Sequence, residues 1–250
     1  MRIKPRALLL GALVVAASLT CMRLGVWQLA RMRTKHALHA AQRALLALEP
    51  IEVVRAIPAV SPPSGRRVHV TGRWDRSLHV LLSGRTHLGA AGVWLVTGVR
   101  LPSGEIVLVE RGWLEAADSR IAHPEHLADS TADVIGVALA LERAAHPTAW
   151  SALAPDVPGV RLWSARSLDV DSLAARVTGP LAPWCVLALP DGGARAAAAL
   201  PQAGPRPIPE PYQVPDEAMH LSYAIQWFAF AAIIGIGSLA LAARNRASKG

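Results

Sequence analysis

Two apolar runs at opposite ends of the chain limit what it can fold into more than any other feature. The first, Ala7 to Met22 (ALLLGALVVAASLTCM), carries no charge, and the apolar pattern resumes from Leu24 to Ala30 with only Arg23 between. About 20 apolar residues in a helix cross a hydrocarbon core. Residues 7–30 therefore predict a first transmembrane helix, with Arg23 reaching toward the headgroups. The second run, Leu221 to Ala243, is also uncharged and predicts a second transmembrane helix over residues 220–243.

The flanks set the direction. Tyr223 and Trp227 lie at the entry to the second helix, and Arg244, Arg246 and Lys249 follow its exit. Interfacial aromatics and positive charge on the cytoplasmic side predict that arrangement. Two spans place both termini, residues 1–6 and 244–250, in the cytoplasm and residues 31–219 outside it. Arg31, Arg33 and Lys35 oppose this orientation, but long domains translocate largely regardless of charge. The chain reads as a multi-pass protein of a bacterial inner (plasma) membrane with a periplasmic main domain, the equivalent space of an organelle being the alternative. A rival reading takes Arg2, Lys4 and Arg6 as the basic start, and Leu8–Thr20 as the apolar core, of a cleaved signal peptide. Length and flanks favour the anchor.

Composition agrees. Of the 250 residues, 52% are hydrophobic and only 18% charged, less charge than a soluble domain usually carries. The net charge of +8 would suit a nucleic-acid binder. The excess arginine is scattered, however, with clusters beside the apolar ends, so membrane lipid and not nucleic acid is the expected partner. Cys21 and Cys185 fall in different regions with no metal-type spacing, which argues against pairing.

Between the ends, residues 35–48 predict a helix continuing out of the first span and stopped at Pro50. Pro58, Pro62, Pro63 and Gly65 mark a linker. Strand patterns follow at Val68–Trp74, Leu78–Leu82, Asp133–Leu141 and Trp184–Leu189. Val93–Leu101 and Ile106–Trp113 flank Pro102-Ser103-Gly104 as a hairpin. Asp169 starts a short helix reaching Val177, and residues 115–128 read as helix or loop. The proline-dense segment 201–215 is an extended tether into the second span. The whole predicts an α+β membrane protein: two transmembrane helices at the termini flank a strand-rich extramembrane domain whose strands could close into a small barrel. His69, His79 and His87 are expected to face solvent.

Catalytic signatures are missing: there is no Gly-rich phosphate loop, no His-Glu-x-x-His and no Gly-x-Ser-x-Gly elbow. Carboxylates are sparse and unpaired, so the chain is not expected to be an enzyme. His123-Pro124-Glu125-His126 reads as a turn, with a metal site the minor alternative. Two stripes are more informative. Arg23, Trp27 and Arg31 fall at i, i+4 and i+8, and His220, Tyr223 and Trp227 at i, i+3 and i+7, so each set shares a helix face. If the helices pack, both stripes meet at the outer end. That inventory suits an amphipathic planar ligand with carboxylates, such as haem: His220 on the iron, Trp227, Tyr223 and Trp27 as walls, Arg23 and Arg31 on the propionates. The same residues also suit plain interfacial anchors.

Four segments in order resemble a known family: Leu24-Gly25-Val26-Trp27-Gln28-Leu29 with Arg31 and Lys35, Val68–Asp75, the Val107-Leu108-Val109-Glu110-Arg111-Gly112-Trp113 hairpin, and His220-Leu221-Ser222-Tyr223-Ala224-Ile225-Gln226-Trp227-Phe228. They are similar to the signatures of the surfeit locus protein 1 family of cytochrome c oxidase assembly factors. The resemblance implies a non-enzymatic role in oxidase maturation, with oxidase subunit I and other assembly proteins as partners. It implies transient haem a binding, with His220 as the iron ligand. A scaffold that never holds haem, or an unrelated inner-membrane accessory protein, are the alternatives. Gly112 reads as a backbone requirement and Trp113 as core. The segment Val96-Thr97-Gly98 departs from the family's Thr-Pro pattern, and residues 145–183 match loosely.

Overall fold

A computed structural model of the chain describes residues 5–55, 64–124, 130–141, 143, 148–190, 207–212 and 218–247. It divides into two compact units, Met1–Arg43 with Val214–Gly250, and Ala44–Gln213. The linker prolines 58, 62 and 63, Glu125 and His126, most of the 201–215 tether, and Arg2, Lys4 and Lys249 lie outside the described residues.

The first unit holds two helices, α1 (Pro5–Ala47) and α3 (Ala218–Ala247). Pro5 suits the first helical turn, where its missing N–H is not needed, and Pro50 lies just past the end. The 43 residues of α1 extend roughly 65 Å at 1.5 Å per residue. The predicted span and the predicted helix after it are therefore one continuous element. Both helices are long and apolar enough to cross a membrane. They display their apolar side chains outward: Leu9, Leu13 and Val26 on α1, and Ile225, Ile233 and Leu239 on α3 are exposed.

The second unit is an eight-stranded sheet: β1 (Ile51–Val53), β2 (Arg67–His87), β3 (Ala90–Arg100), β4 (Ile106–Glu115), β5 (Thr131–Ala140), β6 (Ser151–Leu153), β7 (Leu162–Ala165) and β8 (Leu181–Ala188). A short helix, α2 (Val170–Ala174), precedes β8. Its cap is Asp169, whose Oδ1 accepts from the Ser172 N–H at 2.8 Å. The predicted hairpin is β3–β4, and the two patterns 68–74 and 78–82 are one 21-residue strand with a register shift between Asp75 and His79. Residues 116–123 are not helical. Pairings run β2–β3–β4–β8–β5 and back to β2, a complete circuit, with β7 and β6 branching from β2.

One expectation fails here. His79 is buried, not solvent-facing, and its Nδ1 lies 3.1 Å from Thr97 Oγ1. At this point β2 is covered on both faces: Leu78, Val80 and Leu82 belong to one core cluster and Leu81 to another. Alternation no longer separates inside from outside where both faces are packed. His69 and His87 are half-buried. Cys185 is a buried free thiol pushed up to about 12, first by burial and then by the Glu110 carboxylate.

The tether is not wholly free-standing. Beyond Glu110, where the pairing of β4 with β8 stops, Ile208 takes the edge of β4. The Trp113 N–H donates to the Ile208 carbonyl at 2.9 Å, and the Ile208 N–H donates to the Trp113 carbonyl at 2.8 Å. Gly112 permits this contact: its φ is +125°, and a Cβ there would stand 2.3 Å from the Ile208 oxygen. Trp113 is buried, its ring lies tilted against His87 at 5.3 Å between centroids, and His87 Nδ1 meets Glu210 Oε1 at 3.2 Å. Gly112 is thus a backbone requirement and Trp113 a core residue, as the sequence predicts. Gly112→Ala should cost about 2–4 kcal/mol, through backbone strain and the clash together, seen as a lower denaturation midpoint of the full chain.

His69 ties three strands together. Its Nδ1 lies 2.6 Å from Glu52 Oε1 on β1, and its Nε2 lies 2.6 Å from Asp133 Oδ1 on β5. Two acceptors on one ring are best served by the imidazolium, which donates from both nitrogens. The hydrogen bond to Asp133 raises the His69 pKa above 6.5 most strongly, burial opposes it, and Glu52 adds to the rise. A raised folded pKa gives stability that is complete below the unfolded value and lost as pH climbs through the folded one. The unit should therefore weaken as pH rises above about 6.5. His69→Gln should flatten that slope in denaturation midpoints measured across the neutral to mildly alkaline range.

Candidate functional site

The two helices of the first unit meet along stripes of small and polar side chains. Gly25 on α1 is buried, as are Ala224 and Ala231 on α3. Cys21, Leu24, Gln28 and Met32 on α1, and His220, Trp227, Phe228 and Ile234 on α3, are partly covered. Small residues let helices approach closely. A Cβ on Gly25 would stand 2.6 Å from the Phe228 ring, and one on Gly235 would stand 3.8 Å from Ser18 Oγ. At the next turn His220 Nδ1 lies 3.0 Å from Gln28 Oε1. As α1 advances from Ser18 through Gly25 to Gln28, its partners on α3 run back from Gly235 through Phe228 to His220. The helices are antiparallel.

Antiparallel packing puts His220 at the end of the pair that also carries Arg23, Trp27 and Arg31. His220 and Trp227 share the packed face of α3, where Trp227 meets Phe230 edge-on at 6.0 Å. Tyr223, at 49% exposure, and Trp27, at 56%, point away from the packing stripes. Arg23 and Arg31 are exposed. The structure thus brings His220 to Gln28 and leaves Tyr223, Trp27, Arg23 and Arg31 exposed. His123, the other histidine weighed for metal, pairs through Nδ1 with Asp156 Oδ2 at 3.1 Å. Among the described residues no group of three or more His, Cys, Asp or Glu side chains could hold a metal ion. Haem iron needs only an axial donor from the protein, and His220 fits that limited demand.

Gln28 and Gly25 had no assigned role in the sequence reading. A signal existed: Gln28 is an uncharged polar residue in an apolar stretch, three positions from Gly25 and so on the same face. Arg111 also gains a role. Its guanidinium lies 4.1 Å over the Trp74 ring, a cation–π contact joining two of the four matched segments.

A sequence model described as the SURF1 family matches residues 15–232. The cytochrome oxidase assembly protein SHY1 of Saccharomyces cerevisiae is 33% identical over 118 residues, which are 44% of this chain and 30% of the yeast protein. A SURF1-like protein of Rickettsia felis is 28% identical over 137 residues, 52% of this chain and 58% of the relative. The matched region thus spans less than two thirds of either relative.

The tight contact at Gly25 gives a direct check on the helix pair. Gly25→Val should lower the thermal midpoint of the detergent-solubilised protein, by about 1–3 kcal/mol of overpacking. Phe228→Ala in the same chain should recover part of that loss as a coupled pair.

Proposed function

The chain belongs to the SURF1 family, and on that premise we propose that it assists cytochrome c oxidase assembly as a two-pass membrane protein. The two helices would lie in the bacterial inner membrane, with both termini cytoplasmic and the strand-rich unit periplasmic. Their outward apolar side chains need a hydrocarbon solvent, since exposed apolar surface of this extent is costly in water. The circuit of strand pairings supports a barrel-like reading of the periplasmic unit. The role is non-enzymatic: the protein would stabilise oxidase subunit I, or assist haem a insertion into it, beside other assembly proteins.

The observation that carries the haem reading is His220, half-covered on the packed face of the helix pair and at the end that carries Arg23 and Arg31. His220 would ligate the iron and Trp227 would pack against the macrocycle. Tyr223 and Trp27 would flank it, and Arg23 and Arg31 would hold the propionates. When bound, haem a would supply the redox centre destined for the oxidase; the chain itself binds and orients. A partly open site suits transient holding. The same exposure of Trp27, Tyr223, Arg23 and Arg31 favours a second reading, a scaffold whose interfacial residues are anchors and which never holds haem.

A visible spectrum of the full chain, purified in detergent after co-expression with haem a synthesis, separates the two. Wild type should carry a haem a band and His220→Ala should lose it at equal protein yield. A band in neither, with the protein well folded, moves the assignment to the scaffold. A band kept in full by His220→Ala removes the ligand assignment.

A further inference from the structure

We infer that Gln28 is a positioning residue: it holds the His220 ring with its proton on Nδ1 and leaves the Nε2 lone pair for a metal centre. The metal part of this inference rests on the haem reading above; the tautomer part does not. The contact is specific. It joins residues 192 positions apart, one on each helix, at 3.0 Å from His220 Nδ1 to Gln28 Oε1. An amide oxygen accepts and never donates, so the Nδ1 facing it must carry the proton. In the neutral ring that leaves Nε2 as the acceptor, which is the atom an iron would need.

The neighbouring packing explains why a glutamine serves here. Gly25, less than one turn away, leaves room for the Phe228 ring of α3, which a Cβ there would meet at 2.6 Å. Beside that contact the Gln28 amide on α1 reaches the His220 imidazole on α3. Histidine ligands of metals commonly donate their second N–H to such a partner, which fixes the tautomer and orients the ring. Gln28 would do for His220 what a carboxylate or backbone carbonyl does in those sites, with no charge to bury. The opposite amide orientation, with the Gln28 nitrogen facing the ring, would place the proton on Nε2 and forbid ligation. The two arrangements give different spectra.

The test uses the full chain in detergent micelles with 15N-labelled histidine. The His220 signals are identified by their loss in His220→Ala. Wild type and Gln28→Glu should show the Nδ1–H tautomer, because both keep an oxygen acceptor. Gln28→Leu should revert to the Nε2–H form that free histidine prefers. Haem a titration then gives the second readout. Gln28→Leu should weaken binding about 10- to 100-fold and shift the midpoint potential, while Gln28→Glu retains binding. An Nε2–H proton in wild type overturns the inference whatever haem does. Unchanged affinity and potential in Gln28→Leu overturn it while the haem reading stands. If wild type shows Nδ1–H and yet binds no haem a, the haem reading fails and takes the ligand part of this inference with it.

Discussion

The 21 residues of β2 offer more backbone donors and acceptors than any single neighbour in this fold could satisfy, and buried backbone groups left unpaired are costly. The rest of the sheet is arranged around that demand. Residues 67–73 pair with β5, and residues 68–70 also with β1; residues 73–87 pair with β3, and residues 79–82 also with β7. The shift between Asp75 and His79 lets one strand serve both sets. Asp75 itself fixes that corner. Its Oδ1 accepts from the Ser77 N–H at 3.0 Å, and its Oδ2 accepts from Arg100 at 2.6 Å. Burial pushes the Asp75 carboxyl up, but these hydrogen bonds and the Arg100 charge outweigh it and hold the group below the usual range. The edge of β4 past Glu110 is covered by Ile208, a contact that a Cβ on Gly112 would block.

Local patterns disclosed the parts of this arrangement that local chemistry controls. Alternation exposed both halves of β2, and the Pro-Ser-Gly turn announced β3–β4. Asp169 announced α2, and long apolar runs announced both helices. What escaped was non-local or too short to show a period. β1, β6 and β7 have three or four residues each, and the parallel pairs β1–β2, β2–β7 and β4–β8 leave no turn to read. His79 was misplaced for the reason that makes a core strand hard to read: with packed layers on both sides, polarity no longer alternates with depth.

The site followed the same division. Helical spacing put His220, Tyr223 and Trp227 on one face; in the structure His220 and Trp227 are partly covered and Tyr223 is exposed, and antiparallel packing brings His220 to the end that holds Arg23, Trp27 and Arg31. Spacing does not say which face of each helix meets the other. That choice was made by Gly25, Ala224 and Ala231, whose small size permits approach, and it turned Trp27 and Tyr223 outward. The partner of His220 is consequently Gln28 and not one of the arginines, a contact whose two residues lie 192 positions apart.

The central claim is a role in building cytochrome c oxidase, and cells deprived of this chain test it most directly. Reduced-minus-oxidised spectra of their membranes should show a weakened haem a band from the oxidase, restored when the full chain is supplied again. Membranes with an undiminished band and normal oxidase subunit I would contradict the account.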